Sequence, residues 1–306
     1  MNSETVIDIQ GLTKAFEGRT AVDNISISIK KGEVVGFLGP NGSGKTTTMR
    51  MLCGLLRPDK GQGTCLGYDI RAHNVAIKHK IGYMTQKFSF YEDLTIRENL
   101  TFVARAYNLN NIHHVVDKTL HDLGLWDRQH QLAGYLSGGW KQRLALAASI
   151  MHDPELLLLD EPTAGVDPKA RREFWDQIHR LAQNGLTVLV STHYMDEAER
   201  CHRIAYILYG KMVDVGSIDD VICRSGLTTW EIKGEDLGAL ALSLSEMSGV
   251  DQVTYFGNSL HVAGRKQDEL NASMKQLQKN KDYAVAQSRT SLEDVFIHYM
   301  ENKHIE

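Results

Sequence analysis

Nine consecutive residues, Gly39-Pro40-Asn41-Gly42-Ser43-Gly44-Lys45-Thr46-Thr47, have the types and spacing to hold a phosphate. Glycines let successive backbone N–H groups converge on one anion, and a helix starting at the end of the loop adds the positive end of its dipole. In the G-x-x-x-x-G-K-[ST] pattern the lysine, here Lys45, reaches the β- and γ-phosphates, and the next hydroxyl, here Thr46, ligates Mg²⁺. Chance supplies such a match in about 1 in 100 chains of this length. The plainer reading is a surface Gly-rich turn. Its flanks argue otherwise: the apolar run Val34-Val35-Gly36-Phe37-Leu38 reads as a buried strand, and Met49, Leu52, Cys53 and Leu56 follow at helical spacing.

Other clusters carry chemistry further along. Leu156-Leu157-Leu158-Leu159 is an apolar run that delivers Asp160 and Glu161 at its end. Unpaired buried charge is expensive, which argues against a purely structural role for both acids. Beside a phosphate loop they suit an Mg²⁺-directing Asp160 and a water-activating Glu161. Leu136-Ser137-Gly138-Gly139 opens a helical stripe of Trp140, Leu144, Ala147, Ala148 and Met151. Small residues there make a second anion site, or Ser137 is an ordinary N-cap. His193 ends the run Thr187-Val188-Leu189-Val190-Ser191-Thr192, at the strand end where ligands of open α/β sheets gather. Gln86 closes a short strand over residues 81–84. Phe16 falls between two alternating strands, where it either stacks on a base or serves as a core or lid residue. His113-His114 is a tempting metal pair, but helix neighbours point about 100° apart, so the pair reads as solvated surface.

The elements that must position these groups alternate strand and helix. Residues 6–9 and 25–29 alternate apolar and polar, as half-buried strands do. Thr95-Ile96-Arg97-Glu98 fits a capping box ahead of a stripe of Ile96, Leu100, Val103 and Tyr107. A further helix near residues 113–123 stops at Gly124. Asp167-Pro168 starts a helix with Asp as N-cap and Pro in its first turn. A hairpin over residues 204–208 and 211–215 turns at Tyr209-Gly210. Past residue 217 the texture changes: all five prolines lie between residues 40 and 168. Strands over 228–233, 252–256, 259–263 and 283–287, with helices over 237–247 and 267–280, read as a βαββαβ unit. A last helix covers 291–302.

Bulk numbers narrow the classes. The chain has 306 residues, a length prior of about two domains, with 42% hydrophobic and 24% charged residues, ordinary for a globular chain. A net charge of −4 gives no electrostatic case for nucleic acid. The four cysteines, Cys53, Cys65, Cys201 and Cys223, show no C-x-x-C pairing and, with no signal-like N-terminus, read as reduced cytosolic thiols. No apolar run approaches the roughly 18–20 residues of a membrane span.

The ordered set of motifs resembles the nucleotide-binding subunit of ATP-binding cassette (ABC) transporters over residues 1 to about 216. Gly39 to Thr47 resembles the Walker A loop, Gln86 the Q-loop, Leu136-Ser137-Gly138-Gly139 the signature, Leu156 to Glu161 Walker B with its catalytic glutamate, and His193 the switch histidine. Ala164-Gly165-Val166-Asp167 sits where that family has its D-loop. The resemblance implies an α/β P-loop NTPase domain over residues 1–216, with a helical subdomain over about 87–150, then a small α+β domain over 217–306. It implies ATP as nucleotide, with Mg²⁺ at Thr46, Gln86 and Asp160, and hydrolysis by Glu161 with His193 and Gln86 sensing the γ-phosphate. It also implies a head-to-tail homodimer. Phe16 and the loop residues Gly39, Pro40, Asn41, Gly42, Ser43, Gly44, Lys45, Thr46 and Thr47 bind one face of each nucleotide, and Ser137, Gly138, Gly139 and Asp167 face the other copy's. The implied partner is a separate polytopic membrane subunit, which makes the chain peripheral on the cytoplasmic face. Trp140 stands where the family usually has glutamine, which bears on packing under the signature helix, and Thr85 stands where proline is commoner.

Residues 291–296, Ser-Leu-Glu-Asp-Val-Phe, resemble the ending of the daunorubicin-resistance-like exporter branch. The expected function is therefore the ATP-hydrolysing subunit of an exporter of drugs, lipids or polysaccharide. The alternative is a soluble cassette ATPase acting on DNA or ribosomes. Relatives of that kind carry two cassettes or long coiled coils, and sustained heptads are absent here. A simple phosphoryl-transfer kinase would not need Ser137-Gly138-Gly139 beside a strand-end acid pair.

Overall fold

The computed structural model describes residues 4–302. The chain divides into two compact units between Val215 and Gly216.

The first unit opens with β1 (Thr5–Phe16) and β2 (Arg19–Lys30), a hairpin much longer than the two short alternating runs predict. Glu17 and Gly18 both take positive φ, so a two-residue turn fits the strand twist and puts Phe16 at the tip, paired with Arg19. Next come β3 (Val34–Leu38), buried throughout, and α1 (Lys45–Leu52). The helix stops a turn short of Leu56, because Gly54 takes φ +70° and closes it. β4 (Lys60–Cys65), β5 (Tyr68–Asp69) and α2 (Asn74–Lys80) follow, none of them expected from the sequence. β4 escapes notice because Gly61, Gln62 and Gly63 carry no alternating apolar pattern, yet it pairs along β1. β6 (Ile81–Met84) leads into the helical stretch of α3 (Ile96–Ala106), α4 (Ile112–Asp122), two 3₁₀ turns and α5 (Gly138–Ile150). The Thr95–Glu98 capping box forms, with Glu98 N–H donating to Thr95 Oγ1 at 3.2 Å and Thr95 N–H to Glu98 Oε2 at 2.8 Å. His113 and His114 are exposed on α4. The unit ends with β7 (Leu156–Asp160), α6 (Pro168–Gln183), β8 (Thr187–Thr192), α7 (Met195–Ala198), β9 (Arg203–Leu208) and β10 (Lys211–Gly216).

These strands make two sheets. One has the order β2-β1-β4-β5 and the other β10-β9-β3-β8-β7-β6. In the second, β3, β6, β7, β8 and β9 run parallel, so their carboxyl ends share one edge. Ile7, Ile9 and Ile27 of the first sheet pack with Phe37, Leu158 and Leu189 of the second and with Met49 and Leu52 of α1 in one core. Burial pushes the Cys53 and Cys65 thiols up to about 11 and about 12, which keeps both as inert packing groups.

The second unit contains α8 (Ile218–Ser225), β11 (Thr228–Gly234), α9 (Leu237–Ser245), β12 (Gln252–Phe256), β13 (Ser259–Gly264), α10 (Gln267–Leu277), β14 (Tyr283–Ser288) and α11 (Leu292–Asn302). Its sheet order is β12-β13-β11-β14, fully antiparallel, the order of a βαββαβ unit. Trp230, Ile232, Leu260 and Val262 pack against Leu244, Leu270 and Met274 of its helices. α8 is an addition to the expected pattern; a Ser217–Asp220 capping box starts it.

Candidate functional site

Four parallel strands aim their carboxyl ends at one place. β3 leads into the loop of Gly39 to Gly44, β7 ends at Asp160, β8 at Thr192 before His193, and β6 two residues before Gln86. In the loop, a Cβ on Gly44 would come within 2.5 Å of the Ala21 carbonyl of β2, so only glycine fits there. Asn41 and Gly42 are exposed, while Ser43 is buried and its hydroxyl has no hydrogen-bond partner, a polar atom held ready at the loop. Thr47 lies half-buried in the first turn of α1.

Lys45 is buried, and its ammonium donates to the carbonyls of Gly39 at 2.7 Å and Pro40 at 3.0 Å. It lies 3.6 Å from Glu161 Oε1. Burial pushes its pKa below the ordinary lysine value, while Glu161 and Asp160 pull the other way. The two acids are buried, and every charge has partners. Asp160 Oδ1 accepts from Thr46 Oγ1 at 3.0 Å and from Ser191 Oγ at 2.6 Å. Glu161 Oε2 accepts from Gln86 Nε2 at 2.9 Å and lies 3.5 Å from His193 Nδ1. One carboxylate thus gathers Lys45, Gln86 and His193. Thr46, Asp160 and the Gln86 carbonyl are hard oxygen donors of the kind Mg²⁺ takes.

Phe16 stands 47% exposed at its hairpin tip, with Lys14 Nζ 5.6 Å from its ring centre. Asp59 ties that tip down by accepting from Ala15 N–H and pairing with Lys14. These bonds hold the Asp59 carboxyl below its usual range, the Ala15 N–H contributing most.

The remaining predicted residues gather separately. Ser137 occupies the N-cap position of α5 but makes no side-chain capping bond, so the ordinary-cap reading fails. Gly139 meets α6: a Cβ there would lie 2.7 Å from Ala170 Cβ. Asp167 caps α6 by accepting from Lys169 and Ala170 N–H groups. Ser137, Gly139 and Asp167 line a cavity of about 270 Å³ together with Trp140 and Arg143. Two guanidinium groups approach the Trp140 ring, Arg128 at 4.6 Å and Arg143 at 4.9 Å from its centre. Those two contacts accommodate the indole where the family usually has glutamine. Thr85, where the family prefers proline, donates its hydroxyl to the Lys87 carbonyl at 2.9 Å.

Sequence reasoning missed two polar groups on this edge. Ser191 contacts both acids, and Glu197 of α7, 1% exposed, takes the hydroxyls of Thr163 and Thr192. The available signal was a serine directly after three apolar strand residues, Val188-Leu189-Val190-Ser191.

The family model for the ABC transporter matches residues 22–164. The Nod factor export ATP-binding protein I of Bradyrhizobium diazoefficiens is 35% identical over 299 residues, 96% of each chain. The chain belongs to the ABC transporter family, among its ATP-binding subunits. The linearmycin resistance ATP-binding protein LnrL of Bacillus subtilis is 39% identical over 72% of each chain. The probable multidrug ABC transporter ATP-binding protein YbhF of Escherichia coli is 45% identical over 224 residues, 72% of this chain but only 39% of that protein. The chain therefore spans about two-fifths of the length of that relative and nearly all of the Nod factor export protein. Among solved structures, an ATP-binding subunit of an ABC transporter superposes with a TM-score of 0.65 at 26% identity, over 72% of this chain and 93% of its own. An ABC cassette in its ADP conformation gives 0.64 at 25% identity, over 71% and 93%. The α/β ABC fold of the first unit is thus shared.

Proposed function

We propose that this chain hydrolyses ATP as a head-to-tail pair of copies and thereby drives a separate membrane permease that exports its substrate. The observation that carries the reading is the convergence of Lys45, Gln86 and His193 on the Glu161 carboxylate at the end of β7. A carboxylate there takes a proton from an attacking water, and Lys45 and the loop N–H groups hold the β- and γ-phosphates. Phe16 offers its exposed face to the base. Mg²⁺, held by Thr46, Asp160 and Gln86, would neutralise charge on the phosphates. Gln86 and His193 are the groups that register whether a γ-phosphate is present.

The second copy supplies the other wall. Ser137, Gly138 and Gly139 start a helix with Ser137 and Gly138 exposed, and Asp167 shares the cavity lining with Ser137 and Gly139. Swinging a pair from 1% to 99% closed takes about 5.5 kcal/mol of differential binding. Two sites, each with a few charge-assisted hydrogen bonds at roughly 1.5–3 kcal/mol, supply it. Loss of the γ-phosphate removes those bonds and reopens the pair.

A permease partner fits the surface after Gln86. Phe88, Phe90, Val103 and Tyr107 line a groove of about 170 Å³, and Tyr91 and Phe102 stack edge-on beside it, both about half exposed. Among the described residues no helix is long and apolar enough to cross a membrane. We place the chain on the cytoplasmic face, with residues 1–216 as the ATPase domain and 217–306 as a separate small domain. Export is favoured because the relatives are named for multidrug transport, Nod factor export and linearmycin resistance. Detergent extraction followed by affinity purification and identification of bound proteins tests the partner. A polytopic membrane protein that stimulates ATP turnover is the expected result; ribosomes or DNA complexes alone would overturn it.

A further inference from the structure

We propose that Ser191 is a positioning residue that holds the two neighbouring acids, Asp160 and Glu161, in place at one site; this rests on the hydrolytic role assigned above to Glu161. Ser191 lies directly across from Asp160 in the parallel register of β7 and β8, and it is fully buried. Its hydroxyl donates to Asp160 Oδ1 at 2.6 Å and accepts from the Glu161 N–H at 3.0 Å. That N–H also reaches the Ser191 carbonyl at 3.1 Å. A hydroxyl has one proton, so donation to the carboxylate fixes the sense of the second bond. The single oxygen therefore ties one acid by its side chain and the next by its backbone.

The tie matters because of the backbone it holds. Glu161 sits at φ +46°, a left-handed conformation that a residue with a Cβ enters only when its surroundings insist. In an extended strand Glu161 would point to the face opposite Asp160. The left-handed turn instead lets both adjacent acids meet the start of α1. Asp160 faces Thr46 at 3.0 Å, and Glu161 faces Gln86 at 2.9 Å and Lys45 at 3.6 Å. Strain of this kind gathers where chemistry needs a fixed geometry.

A satisfied buried serine with no wider role is the competing account. Its neighbours on β8, Val188, Leu189 and Val190, show that the strand interior is packed by apolar side chains. A hydroxyl in such a place requires partners, and the partners here are the two acids and nothing remote from them.

The test is Ser191→Ala, which deletes one oxygen and leaves the Glu161-to-Ser191 backbone bond available. ATP turnover and ATP affinity are measured beside wild type and Glu161→Gln, together with a crystal structure of the variant. The expected kcat is about tenfold lower, the effect of losing one buried hydrogen bond to a charged group, with ATP affinity changed by less than about twofold. In the structure Glu161 relaxes from its left-handed φ and its carboxylate leaves Gln86. A kcat near wild type, in a series where Glu161→Gln is inactive, overturns the Ser191 role and leaves the hydrolytic reading standing. So does a parallel loss of affinity and turnover, the mark of a general loss of structure. If wild type itself does not hydrolyse ATP, the hydrolytic reading fails, and the crystal structure alone decides Ser191: an unchanged Glu161 backbone overturns it.

Discussion

The first unit contains two helix starts suited to an anion, and they are built in opposite ways. At the start of α1 the charged groups are buried and spoken for: Lys45 is 4% exposed, Asp160 2% and Glu161 8%. At the start of α5, Ser137 and Gly138 are exposed, no side-chain cap bond forms, and the polar groups open onto a cavity. Buried charge demands partners in place before any ligand arrives, so the first region is wired in advance. The second carries no buried charge and needs no such wiring. A finished wall and an open wall in one chain make sense if the open wall meets its ligand on another copy.

The sharpest way to separate the two regions is to disable the chemistry of the first without touching its shape. Glu161→Gln keeps the side-chain length and the contact with Gln86 but removes the base. Turnover should fall by roughly 10²–10⁴, with ATP binding and ATP-dependent pairing retained. Steady-state ATP hydrolysis, nucleotide binding and gel filtration with ATP read the three quantities. Near-normal turnover would remove Glu161 from its role and with it the contrast between wired and open walls.

A pair of substitutions then breaks the comparison along its seam. Lys45→Ala deletes the cation that the loop carbonyls of Gly39 and Pro40 hold in place. The isolated chain should bind ATP about 10- to 100-fold more weakly, the worth of one charge-assisted contact at roughly 1.5–3 kcal/mol. Ser137→Ala should leave that monomer affinity within about twofold and instead weaken ATP-dependent pairing by about tenfold. Titrations at low protein concentration measure the first effect, and the concentration dependence of pairing measures the second. Equal losses of monomer affinity in the two variants would mean that both regions serve one nucleotide within a single chain.

The contrast also explains which parts of the molecule were legible in the sequence. The parallel-sheet strands were readable because they are buried on both faces: Leu156 to Leu159 and Val34 to Leu38 are continuous apolar runs. The loop, the acids, Gln86 and His193 stand at the ends of those runs, so locating the strands located the site. β4 was not readable, since a strand that opens with Lys, Gly, Gln and Gly is held by its pairing along β1 and not by its own pattern. The early stop of α1 was hidden for a similar reason, because Leu56 keeps helical spacing while Gly54 has already ended the helix. The burial of Asp160 and Glu161 was also out of reach. It depends on Ser191 and Lys45, more than 25 residues away in either direction, and no local spacing reports such partners.

The smallest effect asks whether the open wall can be loosened alone. The segment that leads to Ser137 is zipped to the start of α3: Ile96 N–H donates to the Gln131 carbonyl, Ala133 N–H to Leu94, and Gly134 N–H to Glu92. Thr95 caps α3 within that zipper and forms an isolated bridge with Leu132. Thr95→Ala removes the capping oxygen, a loss of about 1 kcal/mol, and in a unit of this size should lower the melting temperature by about 2–4 °C. Calorimetry reads that shift. Monomer affinity for ATP should not change, because the cap is not among the contacts of the Gly39 to Thr47 loop. Pairing should weaken slightly, in proportion to any fraying at the base of the signature turn. A variant that melts early and also binds ATP poorly would show that the helical stretch helps to shape the wired wall, and the separation of the two regions would have to be redrawn.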